Sequence, residues 1–233
     1  MKITILRLLS GILVVCALLA PVCAQSGSSK NSNGPPIDGI YLYLRYGLGY
    51  GGAVQITYEP YLLLKDGTIY RNLQGPPQDL DIGKSRQAEP KMWGRWQKSG
   101  NNIIVQWDDG KRETWEKNWH VARPARKTDR LQGRFRSMSG GGNTALGGSA
   151  SIAVTNDIVF SADGSFMRGD VVSAKTDSVT VGSKRKGGGT YLIDGYSIEL
   201  HYDDGQVERL TFYFYPDGNN VIGIGNRVFG LRQ

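Results

Sequence analysis

The sequence predicts an all-β fold, two tandem antiparallel β-meander units behind a cleaved N-terminal signal peptide. Three observations predict it: side chains alternate with period two, Asp-Gly turn signals punctuate the chain, and the same landmarks recur about 95 residues on. Composition agrees. Of 233 residues, 32 are glycine, and each glycine weakens a helix interior by about 1 kcal/mol relative to alanine. An apolar fraction of 39% with 10% aromatics is too high for a disordered chain.

The first element is an address. Lys2 and Arg7 precede an apolar run from Leu8 to Leu19, and Val22-Cys23-Ala24 places small residues at a cleavage site after Ala24. This order of features marks a secretory signal peptide over residues 1–24 and predicts export, to the bacterial periplasm or beyond. The leader carries both cysteines, Cys16 and Cys23, so the mature chain is expected to have neither disulfide nor thiolate ligand. Its loss leaves 26 basic side chains against 21 acidic. Residues 25–37 are rich in Ser, Asn, Gly and Pro and read as a flexible tether.

The first unit is expected over 38–122 and the second over 131–233, joined by a basic linker at 123–130. Gly39-Ile40-Tyr41 matches Gly133-Arg134-Phe135 at an offset of 94, and Asp66-Gly67-Thr68-Ile69 matches Asp163-Gly164-Ser165-Phe166 at 97. At 95, Gly94 meets Gly189, Trp96 meets Tyr191, Trp107 meets Tyr202, Asp108-Asp109-Gly110 meets Asp203-Asp204-Gly205 and Glu113 meets Glu208. Ile103, Val105 and Trp107 share one face of a strand, as do Ile198, Leu200 and Tyr202. Asp66-Gly67, Asp109-Gly110, Asp163-Gly164 and Asp204-Gly205 have hairpin chemistry. Since an open meander exposes strand edges, closure is expected, as two small barrels in series or as one closed barrel or sandwich built from both halves.

Each unit thus runs from a Gly-x-aromatic strand through an apolar strand ending in Asp-Gly to a second Gly-x-aromatic strand. The residues are Gly39-Ile40-Tyr41, Leu64-Lys65-Asp66-Gly67-Thr68 and Gly94-Arg95-Trp96, then Gly133-Arg134-Phe135, Phe160-Ser161-Ala162-Asp163-Gly164 and Gly189-Thr190-Tyr191. This resembles the lipocalin-like domains of exported bacterial proteins. The resemblance implies a barrel that encloses an apolar ligand.

Catalytic patterns are missing. No G-x-S-x-G or H-E-x-x-H occurs, and the two histidines, His120 and His201, are too few for a three-histidine zinc site. Asp108/Asp109 and Asp203/Asp204 could in principle pair as the carboxylates of a hydrolase, but both precede a turn glycine and both recur with the unit. The glycines 140–142, 147–148 and 187–189 lack the Gly-Lys-Ser/Thr ending of a phosphate loop and read as flexible connections. Neither enzyme activity, cofactor nor metal is therefore expected.

Candidate binding residues are few. Lys184, Arg185 and Lys186 form a basic cluster, read here as loop, that would suit an anionic lipid or an acidic envelope polymer. Nucleic acid is excluded as a partner by export. All five tryptophans lie between Trp93 and Trp119. Trp96, Trp107 and Trp115 have Tyr191, Tyr202 and Leu210 as counterparts and read as core, and Trp119 falls on Phe214. Trp93 falls on Gly188 and shares a face with Arg95. It is the tryptophan expected at the surface, where an indole could stack on a sugar ring in a carbohydrate-binding module. The leading expectation is an exported, non-catalytic barrel that binds an apolar small molecule or an envelope partner. No apolar run past the leader approaches the ~18 residues of a membrane helix.

Overall fold

The computed structural model describes residues 34–48, 54–142, 151–175 and 180–232, so the leader and most of the tether lie outside the described residues. The all-β expectation holds, in the form of two barrels in series. Seven strands make the first, β1 (Ile37–Leu48), β2 (Val54–Leu64), β3 (Thr68–Tyr70), β4 (Trp93–Ser99), β5 (Asn102–Trp107), β6 (Arg112–Trp115) and β7 (Trp119–Val121). Their order is β6-β5-β4-β3-β2-β1-β7, a nearly closed sheet with β6 and β7 at its ends. Eight strands close the second completely. They are β8 (Gly133–Gly142), β9 (Ser151–Phe160), β10 (Ser165–Lys175), β11 (Thr180–Asp194), β12 (Ser197–Tyr202), β13 (Val207–Phe214), β14 (Val221–Ile224) and β15 (Arg227–Arg232). Closure pairs β15 with β8, Leu231 opposite Phe135.

The duplication is visible in the strand register. Gly39 pairs with Leu63, and Gly133 with Phe160. Ile69 faces Gly94, and Phe166 faces Gly189. Gly94 pairs with Trp107 and Gly189 with Tyr202; Val105 pairs with Glu113 and Leu200 with Glu208. Local chemistry repeats too. Asp66, Asp109, Asp163 and Asp204 each accept, through Oδ1, the backbone N–H two residues on, at 2.9, 3.1, 2.8 and 3.0 Å. The following glycines take φ of +79°, +89°, +91° and +85°, a region closed to most side chains. These carboxylates hold turns. A Cβ on Gly94 would lie 2.6 Å from the Gln106 carbonyl oxygen, and one on Gly189 would strike that of His201.

Register also corrects one alignment. β7 pairs with β1 as β15 pairs with β8, Tyr41 opposite Val121 and Phe135 opposite Leu231. Trp119 therefore corresponds to Phe229, not to Phe214. The first barrel has no counterpart of β14, which shifts the last strand.

Each barrel has its own interior. Tyr61, Leu63, Ile69, Ile103, Val105, Trp107 and Trp115 fill the first, with Tyr41, Tyr43, Trp96 and Trp119 packed against them. Phe135, Phe160, Phe166, Tyr191, Leu200, Phe212, Phe214 and Phe229 dominate the second. A third cluster lies between them. Ile40, Leu42, Leu62, Leu64, Tyr70 and Trp93 on the outer face of the first sheet pack with Tyr213 of the second barrel, and Tyr196 and Tyr215 join at its margin. Polar contacts fix this junction. Asn226 Oδ1 accepts from the Leu73 N–H at 2.8 Å, the Thr211 hydroxyl donates to the Gly75 carbonyl at 2.5 Å, and Tyr196 OH donates to the Ala122 carbonyl at 3.2 Å. Both barrels belong to one compact unit.

The linker is structured rather than loose. Arg123 exchanges backbone hydrogen bonds with Phe214, and Ala125 with Gly195, tying the linker to the second barrel. Between β3 and β4 the chain leaves the sheet and forms a short helix, α1 (Ile82–Ala88), whose N-cap Asp81 accepts from the Lys84 N–H at 3.0 Å.

Candidate functional site

The second barrel carries polar groups at one end of its aromatic interior. Phe166 and Arg168 share a face of β10, Leu200 and Tyr202 a face of β12, and Glu208 and Leu210 a face of β13. Phe166, Leu200 and Leu210 belong to the core cluster. The next inward positions, Arg168, Tyr202 and Glu208, meet above it. Arg168 Nη1 donates to Glu208 Oε2 at 2.9 Å and to the Tyr202 hydroxyl at 3.2 Å, and that hydroxyl donates to Glu208 Oε2 at 3.1 Å. Burial raises the Tyr202 pKa; Arg168 opposes that effect and Glu208 adds to it, so the phenol stays protonated and remains a donor.

A cavity of about 410 Å³ opens beside this cluster, lined by Arg168, Gly187, Tyr202, Asp204, Gln206, Val207 and Glu208. That volume suits a small molecule. The lining is mostly polar, unlike the phenylalanine-rich interior below it, and Gly187 lets the Tyr202 ring pack against the β11 backbone: a Cβ there would sit 3.1 Å from the ring.

The first barrel has a related cluster. Glu113 accepts from Trp107 Nε1 through Oε1 at 3.2 Å, and through Oε2 from Trp115 Nε1 at 3.2 Å and Arg45 Nη2 at 2.6 Å. Arg45 also donates to the Tyr61 hydroxyl at 2.9 Å and lies 4.8 Å from the centroid of the Tyr43 ring. Burial works against its charge, but bonding to Tyr61 and Glu113 outweighs that and raises its pKa further.

A second cavity of about 410 Å³ lies under α1, lined by Tyr70, Asn72, Asp79, Asp81 and Glu89 among others. Glu89 is already engaged there, accepting from Tyr70 OH at 2.8 Å and from Asn72 Nδ2 at 2.9 Å.

Of the residues singled out from sequence, Trp93 is corrected outright. Its indole is fully buried and stacked on Tyr70 with centroids 4.4 Å apart, and its Nε1 donates to Ser85 Oγ at 3.2 Å. Helix α1 and the inter-barrel cluster cover it, so it offers no platform to a sugar. Arg95 is exposed on the same strand and donates to the Asp66 carbonyl at 3.3 Å; the structure does not bring it to either cavity. Lys184, Arg185 and Lys186 are corrected from loop to strand. They sit in β11, opposite Val171, Asp170 and Gly169 of β10, and their side chains lie outside the described residues. Glycines 187–189 are in the same strand and 140–142 in β8, while 147–148 lie outside the described residues.

Asp109 and Asp204 act as turn acceptors at separate hairpins. His201 is half-exposed on the outer face and contacts Glu199 at 3.2 Å, as a solvent-face histidine would. Arg168, the centre of the second-barrel cluster, escaped sequence reading. Its signal was available, since extending the 97-residue offset from Ile69 and Phe166 aligns Arg71 with Arg168. No family model, curated protein or solved structure matches this chain.

Proposed function

We propose that this chain is an exported, non-catalytic binding protein that receives a small molecule at the mouth of its second barrel. The observation that carries the reading is the 410 Å³ cavity resting on Arg168, Tyr202 and Glu208. An eight-stranded barrel is just wide enough to be filled by side chains or to hold one small ligand. This one divides the two roles along its length, aromatic packing below and open polar space above. The closed antiparallel meander supports the lipocalin-like reading. The apolar character first expected of the ligand moves to the part of it that rests on Tyr202; its other end meets charge. Export rests on the leader in the sequence, and the absence of a nucleophile or metal motif favours binding over catalysis.

Native mass spectrometry of the protein purified from its own source tests this. A small-molecule adduct is expected on the native chain and is expected to be lost when Gln206→Trp fills the cavity. An adduct that survives this substitution, or a chain that carries none, overturns the reading.

A further inference from the structure

The first barrel shows what the mouth of the second lacks. Matching registers place Tyr43 opposite Glu59 and Ser137 opposite Asn156, then Arg45 opposite Thr57 and Ser139 opposite Val154. So Ser137 stands where the first barrel has Tyr43, Ser139 where it has Arg45, Asn156 where it has Glu59 and Leu210 where it has Trp115. Each exchange on β8 and β13 is large to small. In the first barrel Arg45 crosses the interior and binds Glu113 at 2.6 Å and Glu59 at 3.3 Å. A second guanidinium, that of Arg71, lies 4.6 Å from the centroid of the Trp107 ring and 3.5 Å from Asp109. The first barrel thus supplies an arginine to Glu113 and another to Asp109.

The second barrel keeps both acids, as Glu208 and Asp204, and the ring between them, as Tyr202. It keeps only one of the two arginines. Arg168, the counterpart of Arg71, has turned to Glu208 and Tyr202. Asp204 meets no cation among the described residues, and its Oδ1 is occupied by the Gln206 N–H. Arg168 and Tyr202 both bond Glu208 through Oε2, leaving Oε1 facing no donor among the described residues. Both acids line the cavity, with one described arginine between them. Asn156, at the place of Glu59, accepts from Arg227 through Oδ1 at 2.8 Å, and its Nδ2 is buried without a partner among the described residues.

From this comparison within one chain we infer that the mouth of the second barrel binds the guanidinium or ammonium end of a small ligand, which takes the place that Arg45 fills in the first. Glu208 Oε1 and the Asp204 carboxylate, both lining the cavity beside Tyr202, receive its N–H groups. The inference rests on the proposed binding function and names its ligand class.

Three probes of similar length test it by amide NMR of the 15N-labelled protein: n-butylguanidinium, its uncharged counterpart n-butylurea, and n-pentanoate. Saturable shifts at Gly187, Asp204 and Gln206 are expected with butylguanidinium alone. They are expected to need about two- to fivefold more probe in Glu208→Gln and in Asp204→Asn, the loss typical of one charged partner in a partly exposed pair. Ser139→Arg, which restores the arginine of the first barrel, should compete with the probe to a similar degree while leaving amide dispersion intact. Butylguanidinium shifts that are unchanged in all three variants, or equalled by butylurea, overturn the inference. Shifts with pentanoate or butylurea alone overturn the cationic class but leave the binding function standing. Silence from all three probes overturns both.

Discussion

The ring of Tyr213 lies over Gly223, its partner across β13 and β14, so closely that a Cβ on Gly223 would collide with the ring at Cζ. Tyr213 points out of its own barrel and is nevertheless fully buried, because the outer face of the first barrel covers it. Gly223→Ala should therefore cost about 1–3 kcal/mol through overpacking at the junction. Urea unfolding followed by far-UV circular dichroism would check it; a midpoint equal to that of the parent would contradict the packing described.

Tyr213→Phe should act in the opposite direction. The Tyr213 hydroxyl is buried with no hydrogen-bond partner among the described residues. Removing a desolvated group that gains nothing in return should stabilise the protein by about 1 kcal/mol. The same denaturation experiment reads the sign, and a loss of stability would show that the hydroxyl has a partner.

Trp93→Ala should cost about 3–5 kcal/mol, the usual range for emptying the place of a buried aromatic. It should blue-shift no ligand-dependent fluorescence, because the indole is enclosed by Tyr70, Ser85 and the inter-barrel cluster. A variant as stable as the parent, or one with altered response to added glycans, would reinstate Trp93 as a surface residue.

The two glutamates of the repeat should differ. Glu113 satisfies two indoles and Arg45, and Glu113→Gln leaves donors without a charged acceptor in a largely enclosed site. A loss of about 2–3 kcal/mol is expected. Glu208 is 37% exposed and bonds through one oxygen, so Glu208→Gln should cost clearly less. Equal losses would mean that the two mouths are alike in solvent access.

Stability should fall in alkali. Burial raises the pKa of Tyr213 well above its ordinary value, and raises those of Tyr215 and Tyr61 as well, with Glu59 adding to the shift at Tyr61 and Arg45 opposing it. A folded pKa above the unfolded one means that the full contribution is present below about pH 10, where unfolded tyrosine titrates, and is lost as the pH rises past it. Phenolate absorbance and loss of ellipticity should therefore rise together. At the acid end, hydrogen bonding to Arg136 lowers the pKa of Asp157 despite some burial. Its contribution is complete above the ordinary carboxylate range and disappears as the pH falls through it. Ionisation of every tyrosine with the fold intact would contradict the burial seen here.

What recurs in the chain is legible in the sequence itself. The Asp-Gly turns, the close-approach glycines 94 and 189 and the inward positions 107 and 202 each occur twice, and the backbone demands that select them are local. Trp93 was misread because alternation tells which side of a strand a residue faces, not what lies on that side. It faces outward, as expected from its register, but outward here means α1 and the other barrel. Lys184 to Lys186 look like loop by composition, yet pairing with β10 satisfies their backbone whatever their side chains prefer. Arg168 was overlooked because an isolated arginine has no motif; only its partners Tyr202 and Glu208, brought together by closure, give it meaning.

The linker hydrogen-bonded into β13 and the tyrosines wedged at the junction have a consequence for the history of the molecule. A tandem copy normally starts as a spare, free to be deleted or to drift. Once Tyr213 came to need the face carrying Leu62 and Trp93 for shelter, neither half could be discarded without stranding the other in water. Redundancy became mutual dependence, while the open end above Tyr202 is lined by none of the residues that the two halves share.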